Sequence, residues 1–308
     1  MSLSRDYVIV GAGSAGCVVA ARLAEDPAVT VTVLEAGPPD TDPQIEIPLA
    51  FGMMLKSRID WDLATEPEPG LDLRRIYVPR GKVLGGSSSL NTMVYMRGNR
   101  ADYDEWEALG ASGWGYEDVL PYFNHAEDNS RGANAYHGVG GPLSVTDHLS
   151  PEPFVDTMLE AGLEYGLGAN ADPNGASQDG VGRWQATIRD GRRCSAAKAY
   201  LHPAAVRGNV DVVTGALVTR ILFEGKRAVG VEFLKDNVLH QVRAKREMIV
   251  SAGAYGSPQL LLLSGIGPAD ELASHGIGVR EELPAGRGLQ DHLVVSGVWL
   301  TGESALLT

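Results

Sequence analysis

The strongest constraint on this chain lies in residues 6–37. A short apolar run, Tyr7 to Val10, leads into Gly11-x-Gly13-x-x-Gly16. A helix-patterned segment follows, with Val18, Val19 and Leu23 beside small Ala20 and Ala21. A second β-branched run, Val29 to Leu34, closes on Glu35. Strand, glycine turn, helix, second strand and terminal acid, in that order, specify a βαβ unit that binds a dinucleotide. Gly11 is expected to make the tight turn out of the strand, Gly13 to admit a pyrophosphate against the backbone, and Gly16 to let the helix press on the sheet. Ser14 and Ala15 open that helix, whose free N–H groups and positive dipole end favour phosphate. Glu35 stands about 20 residues past the turn, where an acid can accept hydrogen bonds from a ribose diol. Ala36 and Gly37 follow it, with no arginine to hold a 2′-phosphate, which disfavours NADP. The unit does not by itself separate NAD from FAD. With 38 glycines in 308 residues, the context carries the reading and the bare spacing does not.

A chain of 308 residues is long enough for about two domains. Its formal charge of −13 argues against nucleic acid or an anionic membrane as partner. Cys17 and Cys194 give neither a disulfide framework nor a metal spacing, so no metal is expected. Only Met-Ser-Leu-Ser-Arg precedes the first strand, which leaves no room for a signal peptide. No apolar run approaches the roughly 18 residues of a transmembrane helix. These features set a reducing, cytoplasmic location as the expectation.

Residues 38–75 are proline-rich and poorly periodic, a pattern of extended and turning backbone that usually serves binding. Trp61 within them is read either as covering a ligand or as part of a satellite hydrophobic cluster. Residues 80–98 bring Gly85-Gly86 and three serines between Val83-Leu84 and Met93-Val94-Tyr95, a low-bulk backbone suited to lie flat on a planar or anionic ligand. Residues 101–125 read as amphipathic helix, with Tyr103, Trp106 and Leu109 assigned to the core. Residues 152–166 read as a further helix, and Ala196 to Leu201 as a short one. Four period-two runs, Val210–Thr214, Val218–Phe223, Val229–Leu234 and Val238–Val242, read as an antiparallel meander. Met248–Ser251 reads as a buried strand, Ala252-Gly253-Ala254 as a close-approach turn, and Pro258 as the first residue of a leucine-rich helix. Another apolar strand is expected after His292. His125, His137, His148, His202, His240 and His275 fall in loops or near element ends, and His125, His137 and His148 read as surface residues.

Together the glycine-rich stretches resemble the glucose–methanol–choline family of flavin oxidoreductases. Gly81-Lys82-Val83-Leu84-Gly85-Gly86-Ser87-Ser88-Ser89-Leu90-Asn91, continuing through Tyr95, Gly98 and Asp104, resembles the family's first signature. The run from Gly253 to Gly267 resembles its second, and Leu289-Gln290-Asp291-His292 a usual downstream stretch. The resemblance implies an α/β fold, α+β overall, with a Rossmann-like FAD-binding domain, a β-meander and part of a second, substrate-binding domain. It implies an FAD-binding domain over 1–150 with a flavin-covering extension, part of the substrate domain over 151–205, and a return to the FAD domain over 206–308.

By the same resemblance, FAD meets Gly11, Gly13, Ser14, Ala15, Gly16, Glu35 and Ala36 through its ADP half, with adenine near Val218. Its ring system meets Val83, Gly85, Gly86, Ser87, Asn91, Thr92, Met93 and Val94. Members that attach FAD covalently carry histidine where this chain has Leu90, so non-covalent FAD is expected. The implied activity is choline dehydrogenase-like oxidation of a primary or secondary alcohol to an aldehyde or ketone, with hydride passing to flavin N5 and oxygen or another compound as electron acceptor. A family lyase and a flavin-binding fragment without activity are the alternatives. An NAD-dependent dehydrogenase would leave residues 81–98 and 253–267 unexplained. The family's catalytic histidine and its partner are expected beyond Thr308, in a C-terminal remainder of the enzyme, so His292 is not taken as the base.

Overall fold

The computed structural model describes residues 3–147, 153–292 and 294. The chain packs as two compact units, one of residues 1–92 with 195–290 and one built on residues 93–194. The changeovers fall at Thr92/Met93 and Cys194/Ser195, where the sequence suggested 150 and 205. The reason is hydrogen bonding. Val94–Tyr95, Glu127–Asn129 and Leu143–Asp147 join Gln185–Ala186 in one four-stranded sheet, which takes 93–147 out of the first unit.

The first unit is organised on a six-stranded sheet. Its elements are β1 (Leu3–Val10), α1 (Ser14–Leu23), β2 (Val31–Leu34), β3 (Val210–Val213), β4 (Leu217–Glu224), β5 (Arg227–Lys235), β6 (Val238–Val250) and α2 (Gly253–Leu263). The strand order is β3-β2-β1-β6-β5-β4. β3, β2 and β1 run parallel, and β1 also pairs in parallel with β6 from Leu3↔Val242 to Val10↔Val250. Parallel strands covered on both faces need continuous apolar runs, and all four residues of β2 are buried.

β6 is the element that sequence patterning divided in two. Its first half pairs antiparallel with β5 and its second half pairs parallel with β1, so one strand of 13 residues carries both the meander and the dinucleotide fold. The separate runs at 238–242 and 248–251 are the ends of this strand. The intervening Arg243-Ala244-Lys245-Arg246 hid the continuity because its polar positions belong to an exposed stretch. β3 likewise leaves the expected meander and joins β2 in parallel. Asp236 and Asn237, at φ 51° and 60°, make the two-residue turn from β5 to β6, with both positions in the left-handed region as a type I′ turn requires. Val8, Val10, Leu34, Ile221, Val231, Phe233, Val242 and Leu260 form one core shared by both halves of the sheet and α2.

Two helical expectations shift. Pro258 lies inside α2 and not at its start, because the helix opens five residues earlier at Gly253. Helices span Arg100–Ala108, Tyr116–Ala126 and Pro153–Glu164, the first closed by a capping box of Asn99 and Asp102. Trp106 and Leu109 are 48% and 80% exposed, so they leave the core to which their spacing assigned them. Tyr103 keeps an inward role, with ring contacts to Trp106, Tyr116 and Phe123. Residues 197–201 form a π-helical turn that runs into His202–Ala205. The apolar strand expected after His292, and His148, lie outside the described residues.

The second unit is held by a buried polar cluster that no motif announced. Arg97 donates through Nη2 to Glu127 Oε2 at 2.9 Å, and both side chains are buried. His137, expected at the surface, is 2% exposed. Its Nδ1 lies 3.0 Å from Glu127 Oε2 and its Nε2 lies 3.0 Å from Asp172 Oδ2. Asn129 Nδ2 has two hydrogens, and Glu127 Oε1 at 2.7 Å and Gln185 Oε1 at 2.9 Å take both. Asn129 Nδ2 also lies 3.0 Å from His137 Nδ1, and carboxylate oxygens face both ring nitrogens, an arrangement that favours the protonated imidazole. Hydrogen bonding to Glu127 raises the His137 pKa above its ordinary value against the opposing effect of burial, and Asp172 adds to the rise.

For Glu127, burial pushes the pKa up. Hydrogen bonds from His137 and Asn129 with the Arg97 charge outweigh it, so the net shift is downward. The stabilisation from His137 is therefore full below the ordinary histidine value of about 6.5 and is lost as pH rises through its higher folded value. That from Glu127 is full above the ordinary carboxylate value of about 4.3 and is lost on acidification through its lower folded value. The urea midpoint of this unit, followed by hydrogen exchange at Glu127 and Asn129, should plateau between these limits and fall on the alkaline side. Glu127→Ala should cost about 3–5 kcal/mol by leaving Arg97 buried without its partner. An unchanged midpoint in that variant would remove the cluster from the account.

Candidate functional site

The first unit contains a cavity of about 640 Å³ at the C-terminal ends of β1 and β2. Gly11, Gly13, Ser14, Ala15, Glu35, Ala36, Gly86, Ser87 and Val218, all singled out from sequence, line it together. Gly16, Val83, Gly85, Asn91 and Thr92 belong to the same unit but are not among its lining residues, and Met93 and Val94 belong to the second unit. Val83 is fully buried beside Leu90, Ile45, Met54 and Ile59, so its side chain serves a second core. Trp61 stands outside that core and lines the cavity. Arg80 and Tyr255 also line it, a placement the sequence reading did not foresee. Their signal was available only as position, since Arg80 precedes one glycine-rich run and Tyr255 lies inside another.

Three chain segments meet backbone to backbone at this site. Gly85 N donates to Ala12 O at 2.7 Å, and Ser251 N donates to Val10 O at 2.8 Å. A Cβ on Gly16 would lie 1.9 Å from Gly11 O, and one on Gly86 would lie 2.7 Å from Gly13 Cα. A Cβ on Gly13 would meet nothing nearer than Gly86 Cα at 3.9 Å. Gly16 is thus a packing glycine, whereas Gly13 leaves open space on the cavity side.

Two helix N-termini converge here. Gly13 precedes α1 and Ala252 precedes α2, and neither supplies a side-chain cap. Ser14 and Ala15 from one start, and Gly253 and Ala254 from the other, line the cavity. Both ends carry partial positive charge and N–H donors, which an anion would satisfy. Glu35 closes the edge. Its Oε2 accepts from Ala12 N and its Oε1 from Gly37 N, each at 2.9 Å. Burial raises the Glu35 pKa above the usual carboxylate range, while those two amides and the Lys82 charge partly offset the rise. The carboxylate therefore shapes the glycine turn from inside and keeps lone pairs for hydroxyl donors at the cavity edge.

Residues 5–294 match the family model described as GMC oxidoreductase, and the chain belongs to that family. It is 48% identical over 95% of its length to an oxygen-dependent choline dehydrogenase of Brucella anthropi. It is 45% identical over 94% of its length to an alcohol dehydrogenase [acceptor] of Pseudomonas putida. The match covers 54% of each relative, so the chain spans about half the length of the curated relatives it matches. A solved FAD-dependent oxidoreductase from Chaetomium thermophilum superposes with a TM-score of 0.85 at 34% identity, over 91% of this chain and 51% of that one. Among the described residues no helix is long and apolar enough to cross a membrane.

The two glycines predict opposite outcomes. Gly16→Ala should destabilise the ligand-free chain by about 1–3 kcal/mol or more, because backbone must move. Gly13→Ala should cost about 1 kcal/mol or less while placing a methyl in the cavity. Urea unfolding of both variants checks this, and equal destabilisation would contradict the division of roles.

Proposed function

We propose that this chain binds FAD non-covalently and belongs to an enzyme that oxidises a primary or secondary alcohol to an aldehyde or ketone. The observation that carries the reading is the convergence of two uncapped helix starts and the Glu35 carboxylate on one cavity. An FAD diphosphate suits the paired positive ends, and a ribose diol suits the carboxylate edge. Leu34, Ala216, Val218 and Leu260 offer an apolar wall for adenine. The names of the relatives supply the substrate class: choline is an alcohol, and the second relative is an alcohol dehydrogenase.

When bound, FAD supplies the two-electron acceptor for the alcohol, and the electrons leave to oxygen or another compound. The chain's own residues do the holding. Amides at Ser14 and Ala15 bind and orient the diphosphate, Glu35 fixes the ribose, and the apolar wall excludes water. No histidine is among the described residues that line this cavity. His292 is exposed and lies beside Asp291 in sequence, and nothing recommends it as the base. His292→Ala should leave FAD affinity unchanged.

Two outcomes test the cofactor. FAD should be released intact by acid or heat, since Leu90 is a buried leucine where covalent members have histidine. Flavin that stays with precipitated protein would contradict this. Glu35→Ala should weaken FAD binding by about 1.5–3 kcal/mol, because charge-assisted hydrogen bonds to the ribose are lost along with support for the turn. Flavin fluorescence titration measures it, and unchanged affinity would sink the assignment. Asp40, a nearby acid, is a poor control because its buried carboxylate pairs with His202 Nε2 at 2.9 Å. For the reaction, anaerobic alcohols added to the FAD-loaded full-length enzyme should bleach the visible flavin band. A panel of alcohols that all leave it unbleached would overturn the proposed activity.

A further inference from the structure

The segment between Leu55 and Lys82 runs out and back within the first unit, and its two arms meet at Asp60, which bridges to Gly81. This carboxylate is only 5% exposed and accepts four hydrogen bonds. Oδ1 accepts from Asp62 N at 3.1 Å and from Arg80 N at 3.0 Å. Oδ2 accepts from Lys56 N at 2.8 Å and from the Tyr77 hydroxyl. Two donors lie on the outgoing arm and two on the returning arm. The four acceptor sites of an ionised carboxylate are all used, so the group is saturated by the protein itself.

Two of the donor residues have positive φ. Lys56 has φ 57° and Asp62 has φ 49°, left-handed backbone that is costly for a lysine and that aspartate adopts more readily. In both cases the amide of that residue is the one that Asp60 accepts. Main-chain bonds run alongside, Trp61 N to Arg80 O at 2.9 Å and Lys82 N to Ile59 O at 2.8 Å.

Asp60 does not line the cavity, but Trp61 and Arg80 do. Trp61 follows Asp60 in sequence, and Arg80 donates its own amide to Asp60. The Arg80 guanidinium lies 5.0 Å from the ring centre of Tyr255, a lining residue of α2. Lys82 Nζ lies 4.6 Å from the ring centre of Trp61. The cation–π pairs fix where each side chain points, and the carboxylate fixes the backbone from which it starts.

Resting on the FAD reading above, we propose that Asp60 is a positioning residue for the cofactor: by tying both arms together it sets the Trp61–Arg80 wall of the cavity and so controls how firmly FAD is retained, without touching it. The side chain suits this task because it is short, planar and acceptor-only. One carboxylate can join four donors from 25 residues of chain at a single point, whereas a neutral amide must turn a donor toward other donors.

Asp60→Asn keeps the shape and replaces one accepting oxygen by an NH₂. In the ligand-free chain, hydrogen exchange at the Lys56, Asp62 and Arg80 amides should accelerate at least tenfold, with exchange in β1 and β2 unchanged. Acceleration confined to these amides supports the anchor, and unchanged exchange overturns it whether or not FAD binds. FAD affinity of the folded variant should fall roughly 10–100-fold, the loss expected for hydrogen bonds to a charged group. The same substitution in a Trp61→Ala/Arg80→Ala background should change affinity by no more than about twofold, because Asp60 acts through those two residues. A full loss persisting in that background would mean Asp60 serves the fold in general, and would overturn the positioning role. Native affinity in the single variant would do so too. If the unmutated chain fails to bind FAD, the cofactor reading falls, and with it this role for the wall. The exchange result separates that failure from an error about the anchor itself.

Discussion

The site depends on how closely three separate stretches of backbone approach one another. The Gly11–Gly16 turn, the Gly81–Gly86 run and the Ser251–Gly253 turn touch through main-chain atoms, with hydrogen bonds from Gly85 to Ala12 and from Ser251 to Val10. Side chains are excluded where the backbones cross. A Cβ on Gly37 would lie 2.0 Å from Lys82 O, and one on Gly11 would lie 2.5 Å from Ser251 O. Packing of this kind leaves little freedom to any of the three segments. It is what brings two helix starts and one carboxylate to the rim of the same cavity.

β6 makes the approach possible. A single strand shared between the antiparallel meander and β1 delivers Ser251 beside Val10 in fixed register, since Val10 pairs with Val250. Val218 on β4 reaches the cavity from the far edge of the same sheet. Glu35 completes the arrangement from β2, where it supports the amides of Ala12 and Gly37 from within. An acid at this position therefore shapes the glycine turn besides offering acceptors to a ligand.

Much of this was legible because it is local. The βαβ unit follows from β-branched runs, glycine spacing and a terminal acid, and nine of the residues singled out for cofactor contact line one cavity. What escaped was set by partners distant in sequence. The polar middle of β6 masked a continuous strand, because its register is dictated by β1 and β5 and not by its own alternation. His137 looked like a loop histidine, yet Glu127 and Asp172 converge on it from other segments and bury it. Trp106 and Leu109 kept helical spacing while facing outward. Val83 and Leu90 lie in a motif suited to ligand contact, but their side chains fill a neighbouring core.

The central claim is that the junction of the three glycine-rich turns holds FAD. Hydrogen exchange measured with and without FAD tests it most directly, because the footprint is local and needs no turnover. The account predicts FAD-dependent protection at Ser14 and Ala15 and at Gly253 and Ala254 together, with NAD giving none. Protection absent from both helix starts, or equal protection by NAD, would contradict it.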